Sequence, residues 1–93
     1  MEKHQKIVVT VLGADKVGIV AGITAILSKF KANIIDLTSS KMRDLFVMLM
    51  LVEIVDDKSS LQDLQRALKE KGEELSVQVT AQHEDIFRYI HRI

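Results

Sequence analysis

Two glycines in the stretch LGADKVGIVAGI, residues 12–23, carry the spacing of a ligand loop: Gly13 and Gly18 form G-x-x-x-x-G. A phosphate-binding loop needs Lys and then Ser or Thr after the second glycine, to reach the phosphate oxygens and magnesium. Here Ile19 and Val20 stand there, which argues against a phosphate. What the stretch offers instead is backbone. Glycines permit a tight turn and close approach, and the unpaired N–H groups opening the next helix favour a carboxylate. Asp15 can pair with an ammonium group or serve as the helix N-cap, and Lys16 is either a contact or solvated. Gly18 and Gly22 can equally allow a helix to pack closely on a sheet.

The other reactive side chains form no recognisable constellation. His4, His83 and His91 have no second ligand at a metal-binding spacing, and Cys is absent. No metal site is therefore expected. Ser39-Ser40 lies in a strand-like run without the turn a nucleophilic serine needs. Asp56-Asp57 reads as a solvated turn, and His83-Glu84-Asp85 as a boundary between strand and helix. The expectation is a protein with no catalytic residues and no cofactor.

The elements that position the loop follow from patterning. Lys6–Leu12 is β-branched and ends at Gly13, so it reads as a strand. Ile19, Ile23, Ile26, Leu27 and Phe30 recur at helical spacing. Asn33–Met42 is a second strand, with Ile35 and Leu37 on one face and Asp36, Thr38 and Ser40 on the other. Met42-Arg43-Asp44 turns into a third strand, Leu45–Val55. Ser60 and Asp63 resemble a capping box, Leu61, Leu64 and Leu68 mark a second helix, and Gly72 is placed at its C′ position. Leu75–Gln82 alternates as a fourth strand, and residues 84–93 read as a short terminal helix.

The order β-α-β-β-α-β specifies an α+β, ferredoxin-like sandwich: a four-stranded antiparallel sheet with two helices on one face, plus the C-terminal helix. One domain spans residues 1–93, with its core at about 5–82. The near-continuous apolar first and third strands belong in the middle of the sheet, and the alternating second and fourth at its edges. Both faces of the third strand are apolar, while two helices cover only one face. The uncovered face implies a homodimer, with Phe46, Met48 and Met50 at its interface, joined by Phe87, Tyr89, Ile90 and Ile93. The terminal helix either folds under its own sheet or crosses onto a partner.

Thirteen basic residues balance thirteen acidic ones, so no charge excess draws the 93-residue chain to nucleic acid or a membrane surface. The polar start MEKHQK is unlike a signal peptide, and the expected location is the cytoplasm. The split βαβ plan also occurs in RNA-recognition modules and small metal carriers. The first, however, needs stacking aromatics beyond Phe46, and the second a Cys pair in the GADKVG loop.

DKVGIVAGITAILSKFKANIIDLTSS, by contrast, resembles the hallmark of the ACT domain, a small regulatory module that binds amino acids. The matching positions are Asp15, Lys16, Gly18, Ile19, Asn33 and Ile34, with Val17 where many members have Pro. HEDIFRYIHRI, residues 83–93, resembles the ending of a subgroup of stand-alone bacterial and archaeal ACT proteins. The resemblance implies a dimer with the ligand at the subunit interface, between the first loop and the start of the second strand. It carries over Gly13, Asp15, Lys16, Gly18, Ile19, Asn33 and Ile34 as candidate contacts, and Asp36 is added from its place on that strand. The implied function is amino-acid sensing on behalf of a separate enzyme or regulator. The rival is a ligand-free structural or interaction dimer whose glycines serve only the fold.

Overall fold

The computed structural model describes residues 4–14, 17–55 and 60–90. Asp15, Lys16, Ile93 and the Asp56-Asp57 turn lie outside them, as do the side chains of Ser60 and Ile90. The elements are β1 (His4–Ala14), α1 (Ile19–Lys29), β2 (Asn33–Met42), β3 (Leu45–Val55), α2 (Ser60–Leu75), β4 (Val77–His83) and α3 (Glu84–Ile90). The four strands form one antiparallel sheet in the order β2-β3-β1-β4. The two apolar strands are central and the alternating ones are at the edges, as their patterning requires.

Register decides which residues share a face, because directly opposed residues in a pair point the same way. Val9 lies opposite both Met50 and Ala81, and Val11 opposite Met48 and Val79. That row, with Ile7, Val52 and Ile54, is buried against Ile19, Ile23 and Leu27 of α1 and Leu64 and Leu68 of α2. Met48 and Met50 are 1% and 0% exposed, and Phe46 packs against the same core. These three residues therefore belong to the helix-covered face, not to a surface open to a partner. The open face of β3 is the other row, Leu45, Val47, Leu49 and Leu51. Thr10, opposite Leu49, marks that side.

α3 lies against β1 and β4, and Val8, on the open face, is only 7% exposed. Leu12 and Leu45, at the far end of the same face, are exposed. The terminal helix thus covers part of its own sheet and leaves part bare. Phe87 is half-buried, whereas Ile86 and Tyr89 are exposed.

Several boundaries differ from the sequence reading, each for a local reason. The N-cap of α1 is Gly18 rather than Asp15. β1 runs two residues further at each end than Lys6–Leu12. α2 continues through Gly72 to Leu75, so β4 begins at Val77. The residue that leaves the helix is Ser76, at φ 60°, whose N–H donates to Glu73 O at 3.2 Å. α1 ends similarly on Lys31, φ 57°. The N–H groups of Ala32 and Lys31 donate to the Leu27 and Ser28 carbonyls at 2.9 and 3.0 Å, the bond pattern of a Schellman cap. Arg43, the first of the two residues joining β2 to β3, has φ 59°. These three left-handed positions fall on residues other than glycine, and Gly18, φ 94°, is the glycine among the described residues that shares the region.

Gly72 serves packing instead. A Cβ there would stand 2.8 Å from the backbone oxygen of Val77 and 2.8 Å from Val79 Cγ2, so glycine lets α2 approach β4. At Gly22 of α1 the added carbon would meet Leu75 Cδ1 at 2.9 Å, the movable end of a side chain. Gly72→Ala should therefore destabilise by about 1–3 kcal/mol despite its better helix propensity. Gly22→Ala should be neutral or stabilising by up to about 1 kcal/mol. Urea unfolding of both variants distinguishes the two cases, and equal effects would remove the packing explanation. At the end of α1, Lys31→Gly should add about 0.5–1 kcal/mol, because glycine relieves the left-handed penalty and loses part of the gain to unfolded-chain entropy. A lower melting temperature for that variant would contradict this account of the cap.

Candidate functional site

Of the loop between β1 and α1, Val17 and Gly18 are described, and what Gly18 presents is backbone. Gly18 adopts φ 94°, ψ −5°, and no side chain among the described residues caps the helix. Its carbonyl accepts the first helical bond, from Gly22 N–H at 2.8 Å. The first N–H groups of α1 are left without intrahelical partners and with the positive end of the helix dipole behind them. A Cβ at Gly18 would meet nothing within 4 Å, so the dihedral angle, and not crowding, calls for glycine there. Ile19 is buried in the core and has only its N–H to offer. Val17 is fully exposed beside these groups and Val20 is about half exposed, which gives the helix start an apolar rim. The sequence marks Val17 only as standing where many family members have Pro, since nothing in it distinguishes an exposed valine from a core one.

Gly13 has a different explanation. It sits in β1 opposite Phe46 and Val77, and a Cβ would lie 2.7 Å from Val77 Cγ1. Its lack of a side chain makes room for the β4 edge.

Asn33 and Ile34 are exposed residues of β2, but they are not beside the loop. Gly13 is level with Phe46 on β3, whereas Asn33 is level with Glu53. The seven residue steps from Phe46 to Glu53 correspond to roughly 24 Å of strand. Within one chain the two halves of the expected site thus lie at opposite ends of the sheet.

Asp36 separates from both. A β-bulge at Ile35 shifts the register between Ile34, opposite Val52, and Asp36, opposite Leu51. The shift puts Asp36 on the open face with Leu51 and Val8, and Thr38 beside it opposite Leu49. There they border a pocket of about 280 Å³ floored by Val8, Leu49 and Leu51. Glu84, Phe87 and Arg88 of α3 close its other side. The sequence carried no sign of this pocket, which needs the bulge and the seat of α3 together.

His91 lies outside the described residues, and the other two histidines take local roles. His83 Nδ1 accepts the Asp85 N–H at 3.2 Å and caps the start of α3, the boundary read from its neighbours. His4 Nδ1 lies 3.8 Å from a Glu53 carboxylate oxygen. Among the described residues no three His, Asp or Glu side chains converge as metal ligands would. No helix among them is long and apolar enough to cross a membrane.

Comparison with known proteins agrees with this architecture. The sequence profile of the ACT domain matches residues 5–82. A UPF0237 protein of Methanocaldococcus jannaschii is 50% identical over 88 residues, which span 95% of this chain and 98% of that protein. One from Lactococcus lactis is 45% identical over 86 residues, 92% of this chain and 97% of the relative. Among solved structures, an ACT domain protein from Streptococcus pneumoniae superposes with a TM-score of 0.77 at 31% identity, covering 89% of this chain and 93% of that one. Loop, sheet order and matched length lead to one assignment: the chain belongs to the ACT domain family.

Proposed function

We propose that the chain is an amino-acid-binding regulatory protein that works as a homodimer joined along the β2 edge. The observation that carries the reading is the separation of the loop from Asn33 on one sheet. β2 is an edge strand of ten residues, exposed along its whole length, and it carries Ile34, Ile35, Leu37 and Met42. Such an edge invites pairing with another strand. Antiparallel pairing of β2 with the same strand of a second copy, about a two-fold axis at Thr38 and with the bulge at Ile35 taking up one position, sets each copy's Asn33 level with the other's Met42. Met42 is level with Leu45 and Ala14, so the partner subunit's Asn33 and the partner's Ile34 arrive at the end of the sheet that holds the loop.

In this reading the ligand's carboxylate takes the free N–H groups of α1. Val17 and Val20 flank its side chain, Asp15 and Lys16 stand in the loop, and Asn33 comes from the other subunit. The chain has no reaction or cofactor of its own. It acts in the cytoplasm on a separate enzyme or regulator, without contact to nucleic acid or membrane. One observation favours the rival ligand-free dimer: packing against Val77 already accounts for Gly13.

Thermal unfolding against the twenty amino acids at millimolar concentration tests the reading. A ligand at 100 times its Kd stabilises by about 2.7 kcal/mol, several degrees in a domain of this size. One amino acid or a related few should raise the melting temperature, and both Gly18→Val and Asn33→Ala should lose that shift. Sedimentation velocity should give twice the chain mass. A flat panel with an intact dimer would favour the rival, and a monomer would sink both.

A further inference from the structure

We infer that the pocket between α3 and the open face of the sheet is a binding site for a small organic cation, an apolar body carrying a protonated amine. This goes beyond the loop site and shares none of its residues.

The chemistry of the walls sets the ligand class. The floor is aliphatic, from Val8, Leu49 and Leu51, and Phe87 adds an aromatic side chain. At about 280 Å³ the space is near the lower end of the roughly 300–1,000 Å³ typical of small-molecule sites. Its occupant is therefore small and mainly apolar. Charge decides the rest. Two carboxylates, Asp36 and Glu84, border the pocket, against a single guanidinium, Arg88. Arg88 Nη2 donates to Glu84 Oε2 at 3.2 Å, so that pair is internally balanced. The Glu84 side chain is 21% exposed and that of Arg88 75%, which places the acid inward and the base toward solvent. Asp36 has no such counterion: its Oδ1 accepts the N–H of Leu37 at 2.9 Å, and it makes no ion pair among the described residues. The pocket thus holds one unbalanced negative charge over an apolar floor. An anion would meet two carboxylates, whereas an ammonium group meets Asp36 directly and can lie near the Phe87 ring.

The bulge at Ile35 is what supplies the acid. In an unbroken register Asp36 would face Met50 and the helix-covered core; the extra residue turns it to the pocket instead.

The test is a titration of the nitrogen-15-labelled full-length chain with phenethylammonium chloride, followed by amide chemical shifts. Hydrocinnamate, nearly the same shape with a carboxylate in place of the amine, is the control. The amine should give saturable shifts around Val8, Thr38, Leu49, Leu51 and Phe87, and the carboxylate none. Asp36→Asn, which keeps an oxygen for the Leu37 N–H, should weaken amine binding about tenfold or more. Gly18→Val should leave it unchanged, so failure here and failure of the loop reading are separable. Equal binding of the two probes would overturn the proposal. So would undiminished binding to the Asp36→Asn chain, or no saturable shift at millimolar amine.

Discussion

The constraint on which this molecule turns is that its two central strands are apolar on both sides. β1 and β3 place Ile7, Val9, Val11, Met48, Met50 and Val52 on one face of the sheet and Val8, Leu12, Leu45, Val47, Leu49 and Leu51 on the other. Water exclusion is non-directional, so each row needs a cover. Two amphipathic helices are enough for one face, and α1 and α2 supply it. The other face has a single short helix, which reaches Val8 but leaves Leu12 and Leu45 exposed. The surface features of the protein, including the pocket at the rim of α3, arise at the boundary between covered and uncovered sheet.

The fold was largely legible because its signals are periodic. Apolar runs marked the central strands, alternation marked β4, and helical spacing found α1 and α2. Helix ends were less legible, since they rest on single residues whose turn chemistry is unusual here. Lys31, Arg43 and Ser76 take left-handed dihedrals with no glycine to announce them. Gly72, which looked like a helix terminator, sits inside α2 because Val77 and Val79 approach it. The face of β3 that meets the helices could not be read from β3 alone, as both rows are aliphatic. Thr10 on the neighbouring strand was the available clue.

The candidate site was legible as a motif and less so as a geometry. The family resemblance drew together the glycines and Asn33, and Asp36 joined them from its place on the second strand. The sheet sends them to three places: the loop end, the opposite end of β2, and the open face. Two motif residues, Gly13 and Ile19, also hold the fold together, the first by giving way to Val77 and the second by filling the core. A family pattern combines positions kept for packing with positions kept for binding, and only coordinates separate them.

The junction of β4 and α3 has a further consequence. The strand ends at His83 and the helix begins at Glu84, with no residue between them, and the His83 ring caps the helix it precedes. β4 is an edge strand with β1 as its single neighbour, the position at which a strand slides most easily. Sliding by one residue would reverse every β4 side chain and carry the attached helix off Val8, since there is no slack to absorb the step. α3 therefore behaves as a pawl on a ratchet, fixing the alignment of the last strand through the place where it comes to rest.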